Sequence, residues 1–262
     1  MPTPGEIGTT RLEARIVLPP STAGQHTVKL ARSMYSGRIT GLLREAIVDG
    51  ALTEGTPLVE TQLAAQLSVS RGPVRSALQV LEGEGLVETL PNGRMVTVRF
   101  GPEDLHDLLA VRLELESSAV RRGSNSRANV EPIRAALEAF KQEGATSEHL
   151  VELDIAFHRS LVEFGGSRFL LSAWLALAPV IQAVIAIGNR RLARQDPKSH
   201  FLRILAAHEP IIEPLSRYDP EPVVTILTDQ FAITRAQFFQ NDSVAGAPKA
   251  GNSRNSRAPG QG

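Results

Sequence analysis

The chain has 262 residues, 42% of them hydrophobic, which is enough for one large or two ordinary domains with buried cores. It contains no cysteine, so disulfides, thiol chemistry and zinc sites of the cysteine type are excluded. The 28 basic and 28 acidic residues cancel to a formal net charge of zero, so overall charge gives no argument for nucleic-acid binding.

Residues 1–30 are rich in proline, glycine and threonine and are predicted to form a mobile arm. They lack a basic start followed by an apolar core, so no signal peptide is expected, and the absence of cysteine permits a cytoplasmic location. Helical spacing of apolar residues then predicts a first helix from about Ser33 to Asp49, which ends at Gly50.

The stretch 58–98 has the pattern of a helix, a tight turn, a second helix and a hairpin, which is the order of a winged helix-turn-helix. Ser68-Val69 is the predicted turn, and Ser70 is the predicted N-cap of the second helix. Pro73 falls in the first turn of that helix, where a proline loses no intrahelical hydrogen bond. Asn92-Gly93 predicts a two-residue hairpin turn with Arg94 at its tip.

The second helix of this stretch has two different sides. Its apolar residues recur at helical spacing on one side: Val74, Ala77, Leu78 and Leu81. Arg71, Arg75 and Gln79 share the other side, which suits contacts to phosphates and guanine edges in a major groove. The alternative is an ordinary solvated face. Because residues 36–99 contain six arginines and seven acidic residues, DNA affinity must come from the placement of arginines, doubled by a dimer.

The sequence SVSRGPVRSALQVLEGEGLV resembles the recognition helix of the GntR superfamily of bacterial transcription regulators. The likeness extends upstream through residues 43–47, Gly50, Gly55 and residues 60–64, whereas PNGR in the wing departs from the usual glycine after basic residues. The resemblance implies double-stranded DNA as a partner and the following DNA-binding residues: Arg44, Glu60, Ser70, Arg71, Pro73, Arg75, Gln79, Gly93 and Arg94.

Gly101-Pro102 marks a predicted boundary between a winged helix-turn-helix domain, residues 31–100, and a second domain, residues 101–241. The second domain shows no alternating strand pattern, so the fold is predicted to be mainly α, with the hairpin wing as its β structure. We expect a six-helix bundle, with helices at about 102–122, 130–143, 147–164, 167–194, 197–217 and 220–239. Residues 242–262 are predicted to be a disordered tail.

The fourth of these helices contains an uncharged stretch, Leu170 to Gly188, that approaches the length of a membrane span. Ser172, Pro179 and Gln182 interrupt it and favour the central buried helix of a bundle. We therefore expect no membrane association. Pro179, Pro210 and Pro214 lie inside helical patterns and are expected to kink them.

Polar residues interrupt the apolar faces of the second domain. Arg112 and Glu116 lie in the middle of one such face, which predicts either an ion pair or an arginine that binds an anionic ligand. Asp154 and His158 are one helical turn apart and could hold one metal ion. His208 and Gln230 are each surrounded by apolar residues. The alternative for both histidines is a hydrogen-bonded place in the core.

The segments VRLELESSAV, DIAFHRSL and AAHEPIIEPL are similar to the FCD effector domain of the FadR-like GntR branch. The resemblance implies that Asp154, His158 and His208 hold a divalent metal ion such as zinc, nickel or manganese, and that Arg112 reaches the carboxylate of an effector. Gln230 stands where a further histidine is expected, and an amide oxygen is a poor substitute on zinc or nickel. Arg112, Glu116 and Gln230 are the predicted effector contacts.

Two functions of different class follow. The first is a homodimeric transcription regulator that binds a palindromic operator and senses a small anionic metabolite in its helical domain. The alternative is a metal-dependent enzyme acting on a small carboxylate, which needs an activated water and a general base. Glu116 is its only obvious base and no nucleophile motif accompanies it, so the sequence favours the regulator.

Overall fold

A computed structural model describes residues 28–141, 147–193 and 197–239 of the chain. The predicted tail, and all but the last three residues of the predicted arm, lie outside these ranges. The fold is mainly α with one small antiparallel sheet, as the sequence predicts.

The N-terminal part is a winged helix-turn-helix built from α1 (Val28–Val48), α2 (Glu60–Gln66) and α3 (Arg71–Gly83). Helix α1 begins about five residues before the predicted start. Ile39, Leu43, Val74 and Leu78 are buried in the core between α1 and α3, because apolar residues recur on the facing sides of the two helices. Ser70 occupies the N-cap of α3 with extended backbone, but its hydroxyl makes no capping hydrogen bond, so only the position of the cap was predicted correctly.

The wing consists of β1 (Val87–Thr89) and β2 (Met95–Thr97), paired antiparallel with Val87 opposite Thr97. The predicted two-residue turn is wrong. The Gly93 amide donates to the Leu90 carbonyl at 2.8 Å, and of Asn92 and Gly93 only Gly93 has positive φ, at 77°. The hairpin therefore closes through three residues, Pro91-Asn92-Gly93, in the geometry of a type I turn followed by a left-handed glycine.

The described residues of the C-terminal part form helices joined by short turns: α4 (Pro102–Ser126), α5 (Glu131–Phe140), α6 (Ser147–Phe164), α7 (Arg168–Ala193), α8 (Pro197–His208), α9 (Ile212–Ser216) and α10 (Pro220–Phe239). The predicted fifth helix is divided, because a 3-10 turn at Glu209–Ile211 separates α8 from α9. Pro210 lies in this turn and lacks the amide hydrogen of a regular helix. Pro179, in contrast, lies inside the continuous α7.

Helix α7 is long and apolar enough to cross a membrane by length and composition, and 39% of its apolar window is buried in the protein. Its second half is buried through Ile181, Val184 and Ile187, whereas Phe169 and Leu175 in its first half are exposed. The predicted burial of this helix therefore holds for its second half and for one face of its first half, where Trp174 is fully buried.

The two domains meet where the end of α1 packs against the end of α7. Glu45 and Arg190 form an ion pair at 2.9 Å, and Asp49 and Arg191 form another at 2.8 Å. The helix that passes through the middle of the C-terminal domain is thus the one that contacts the DNA-binding domain.

Candidate DNA-binding surface and effector cavity

The exposed side of α3 presents the two predicted arginines together. Glu60, at the start of α2, accepts hydrogen bonds from Arg75 Nε at 2.8 Å and Nη2 at 2.9 Å, and from Arg71 Nη2 at 3.4 Å. Hydrogen bonding to Arg75 lowers the pKa of Glu60, so this carboxylate stays ionised. Both arginine side chains remain more than half exposed. Glu60 therefore holds two guanidinium groups side by side on the protein surface.

The other predicted DNA contacts differ in accessibility. Gln79 and Arg94 are exposed, on α3 and the wing respectively. Pro73 is buried, so its side chain serves the start of α3 and offers no exposed contact. Arg44 donates to both carboxylate oxygens of Glu84, at 2.7 and 2.6 Å, and its side chain is only 12% exposed. This pair ties α1 to the C-terminal end of α3.

The helical domain contains a partly open cavity of about 410 Å³, referred to below as the central cavity. Arg112, Asp154, His158, His208 and Gln230 all lie on its wall, among apolar residues of α7 and α10. The sequence predicted that these five residues face inward from four different helices, and the structure brings them to one space.

Asp154, His158 and His208 form a cluster whose candidate ligand atoms all lie within 4.8 Å of one another. His158 Nε2 is 3.3 Å from His208 Nε2, and His208 Nε2 is 3.3 Å from Asp154 Oδ1. Neighbouring ligand atoms of a tetrahedral zinc ion, with bonds of about 2.0 to 2.1 Å, are separated by about 3.3 Å. The two distances that involve His208 fit ligands of a single divalent cation.

Hydrogen bonds on the outer side of each ring select the tautomer that a metal requires. His158 Nδ1 lies 2.8 Å from Glu116 Oε2, and His208 Nδ1 lies 2.7 Å from the Ile204 carbonyl. Both partners are acceptors, so each Nδ1 carries the hydrogen. In their neutral forms the two rings then direct Nε2 lone pairs toward each other, an arrangement that a cation between them would stabilise.

The pKa shifts of this cluster favour the protonation states that bind a cation. Burial lowers the pKa of His158, and the nearby charge of Arg112 lowers it further, so the ring is neutral. Burial alone would raise the pKa of Asp154, but the contact with His208 and the nearby charge of Arg112 outweigh that effect and lower it. Two unprotonated imidazole nitrogens and one carboxylate are a donor set that suits zinc, nickel and manganese.

Arg112 is almost fully buried and only partly paired. Its Nε donates to Glu116 Oε1 at 2.8 Å, and its guanidinium lies 4.4 Å from the centroid of the Phe231 ring. Its Nη2 is 4.0 Å from Asp154 Oδ2 and makes no hydrogen bond within the described parts of the chain. The ion pair expected from the sequence is present, and one edge of the guanidinium stays without a hydrogen bond among the described residues.

Glu116 does not reach the central cavity, contrary to the prediction that it contacts the effector. It is fully buried and accepts hydrogen bonds from Arg112, from His158 and, at 3.0 Å, from Trp174 Nε1. Burial alone would raise the pKa of Glu116, but the charge of Arg112 and the hydrogen bonds from His158 and Arg112 together outweigh it, and the pKa falls to about 2. Because it is fully buried and both of its oxygens already accept hydrogen bonds, Glu116 is also a poor candidate for the general base of an enzyme.

Gln230 lies on the cavity wall, with its amide group donating to the Ala207 carbonyl. Two further residues escaped the sequence analysis. Trp174 lies in an apolar run of the sequence. A buried indole N–H needs a hydrogen-bond acceptor, and this requirement could have indicated a polar partner for Trp174. Asn189 is 8% exposed on the cavity wall, and a polar residue at the buried phase of α7 was the signal there.

A winged helix-turn-helix with paired exposed arginines, joined to a helical domain with an internal polar cavity, defines the class of DNA-binding regulators that carry a ligand-binding domain. The family comparison agrees. The profile of bacterial regulatory proteins of the gntR family matches residues 36–96, and the FCD domain profile matches residues 107–232. The chain belongs to the GntR family, in the branch with a C-terminal FCD domain, whose members are transcriptional regulators.

Individual relatives support this membership. The chain is 28% identical to the probable D-xylose utilization operon transcriptional repressor of Paenarthrobacter nicotinovorans, over 78% of this chain and 88% of that protein. It is also 28% identical to the gluconate operon transcriptional repressor of Bacillus licheniformis, over 77% of this chain and 84% of the relative. The solved structure of Lar from Listeria monocytogenes has the same fold, with a TM-score of 0.59 and 19% identity over 79% of this chain and 97% of Lar.

Proposed function

We propose that the protein is a repressor that binds a palindromic operator as a homodimer and senses a small organic acid, with a divalent metal ion, in its central cavity. Residues 31–100 would bind DNA, and residues 101–241 would bind the effector and form the dimer in the cytoplasm. Two of the relatives named above are the probable D-xylose utilization operon repressor and the gluconate operon repressor, which supports repression and an effector related to carbohydrate acids.

The DNA-binding part of the proposal rests on α3. Arg71 and Arg75 are exposed and held side by side by Glu60. Arg94, in the wing, is a third exposed arginine of this domain. The local sequence carries no excess positive charge, so two copies of this surface on a two-fold site provide the affinity. Protection of two half-sites about one helical turn apart in a footprint would test the dimer and the palindrome together.

The metal part rests on the facing Nε2 atoms of His158 and His208 beside Asp154. When bound, the ion would supply a positive charge that a ligand carboxylate can approach. Three protein donors leave coordination positions for water or for such a carboxylate. We expect a weakly held ion, because Gln230 replaces a stronger fourth ligand. Elemental analysis of the purified protein, together with thermal shifts in zinc, nickel and manganese with and without EDTA, tests whether a metal ion is bound and how strongly.

The observation that carries the effector assignment is the unpaired Nη2 of Arg112 on the wall of the central cavity. A buried guanidinium binds a carboxylate through two parallel hydrogen bonds, and its Nε is already occupied by Glu116. A second carboxylate, supplied by a ligand, would complete the pairing of this side chain.

Substitution of Arg112→Met tests the effector assignment. The variant is expected to keep zinc-dependent stabilisation and to lose the thermal shifts and the release from operator DNA that organic acids cause in the parent. Arg121→Met is the matched control, because Arg121 lies on the same helix but pairs with Glu221 on the outside of the domain. If Arg112→Met only unfolds the domain, while Arg112→Lys folds and responds like the parent, the arginine serves the ion pair alone.

A further inference from the structure

Asn189 presents a second unpaired donor to the central cavity. Its side chain is 8% exposed, and its Nδ2 finds no hydrogen-bond partner among the described residues. Arg112 Nη2 is in the same condition on the same wall. A buried N–H without a partner costs free energy, so two such donors on the wall of one cavity indicate that a bound molecule supplies the acceptors.

The two donors differ in charge, and this difference indicates which chemical groups the ligand carries. Arg112 is charged and lies beside the Asp154, His158 and His208 cluster, so it suits a carboxylate. Asn189 is neutral and suits a hydroxyl or carbonyl oxygen. Val184, Ile185 and Phe231 form apolar parts of the wall, which suit the carbon chain of a ligand.

We propose that Asn189 is a specificity-determining residue that donates a hydrogen bond to an oxygen substituent on the carbon chain of the effector. The ligand is therefore a hydroxylated carboxylate, bound through its carboxylate at the Arg112 end and through a hydroxyl group at Asn189. This inference rests on the proposed function, because it takes the central cavity to be a carboxylate site. It adds the residue that distinguishes a hydroxylated acid from a plain fatty acid.

Gluconate and hexanoate form the probe pair, because both are six-carbon monocarboxylates and they differ in the hydroxyl groups. Calorimetric titration of zinc-loaded, full-length protein is expected to show gluconate binding at least about tenfold more tightly than hexanoate, since a site that bonds a hydroxyl leaves a buried donor unpaired with the analogue that lacks it.

Asn189→Leu is expected to remove this preference and leave the affinity for hexanoate unchanged. Asn189→Asp, which keeps the size of the side chain and removes its donor hydrogens, is expected to weaken the binding of gluconate as well. Gln182→Leu is the matched control, because it makes the same kind of change on the same helix at an exposed position off the cavity wall. The control is expected to behave like the parent.

Equal binding of gluconate and hexanoate to the parent would overturn the role of Asn189. The same conclusion would follow if Asn189→Leu weakened both acids alike, since that pattern reports a damaged cavity. In either case, loss of both acids in Arg112→Met would leave the proposed carboxylate site standing. Failure of the parent to bind either acid would reject the inference and the carboxylate site together.

Discussion

Glu116 accepts hydrogen bonds from three helices without touching the central cavity. Its oxygens receive Arg112 and Trp174 on one side and His158 on the other. The bond to His158 Nδ1 leaves Nε2 as the free lone pair that faces His208. Carboxylates behind metal-binding histidines commonly fix the ring in this way. Glu116 is thus a positioning residue for the candidate metal site.

Glu116→Gln is expected to lower zinc affinity by about 10- to 100-fold, because the amide is a weaker partner for His158 and leaves the buried Arg112 without its counter-charge. Trp174 is the only tryptophan in the chain and donates to Glu116, so its fluorescence reports on the same network. The emission of the parent should change on adding zinc. The variant should start from a shifted spectrum and respond weakly.

Glu163→Gln is the control, because Glu163 is an exposed carboxylate paired with Arg159 on α6. It should bind zinc and fluoresce like the parent. Unchanged zinc affinity in folded Glu116→Gln would contradict the positioning role.

At single positions, helical phase predicted which polar side chains face inward, and it did so for Arg112, Asp154, His158 and His208. It could not predict their partners. Glu116 was expected to meet an effector, yet its donors include His158 from α6 and Trp174 from α7. Such contacts depend on how helices that are distant in sequence pack against one another. The periodicity of apolar residues within one helix gives no information about that packing.

Helix α3 has its apolar residues buried and its arginines held outward by Glu60. Arg75→Ala is therefore expected to cost about 1 to 3 kcal/mol on a specific site and less on random DNA, as for an arginine that contacts a guanine edge. Fluorescence anisotropy on both DNAs measures this. Arg134→Ala, an exposed arginine of the helical domain, is the control. Equal losses on both DNAs would reassign Arg75 to a phosphate contact.

Helix α4 packs closely against the chain just after the C-terminal end of α6. A Cβ atom on Gly165 would lie 2.6 Å from Ala119 Cα, which is backbone and cannot move aside. Gly165→Ala is therefore expected to lower the free energy of unfolding by about 1 to 3 kcal/mol, measured by urea denaturation. Gly41→Ala, where a Cβ meets no atom within 4 Å, should be neutral or stabilising. A similar result for both variants would contradict the close contact.

The sequence predicted the ends of helices and strands where proline or glycine determines them. In the wing, however, two turn preferences conflict. Asn92-Gly93 predicted a two-residue turn, whereas Pro91 suits the second position of a type I turn and Gly93 then takes the left-handed conformation. Similarly, Ser70 lies at the N-cap of α3 without making the bond that its residue type predicts. Turn type depends on several neighbouring residues together, and a dipeptide signal covers only two of them.

In the whole molecule, α7 connects the central cavity with the DNA-binding domain. Gly188 and Asn189 lie on the cavity wall, and the next two residues, Arg190 and Arg191, pair with Glu45 and Asp49 of α1. The sequence indicated two domains and their boundary, yet it held no signal for this contact, because paired charges at helix ends are common on any surface.

Arg191 joins three elements at this contact. It pairs with Asp49 on α1, its Nη1 donates to the Phe238 carbonyl on α10, and its guanidinium lies 5.1 Å from the centroid of the Phe238 ring. Phe238 is itself on the wall of the central cavity. A change in the cavity therefore has a direct packed route to α1, through one side chain.

Arg191→Met is expected to break this route and leave both binding sites intact. In the parent, zinc should slow hydrogen exchange within the helical domain and also at residues 44–49 of α1. In the variant, zinc should still slow exchange in the helical domain, while residues 44–49 should exchange at least about fivefold faster than in the zinc-bound parent, the lower end of usual coupling energies. Arg217→Met, which removes an exposed pair with Glu213, should match the parent. Zinc protection of residues 44–49 to the same extent in Arg191→Met would show that Arg191 does not transmit the effect.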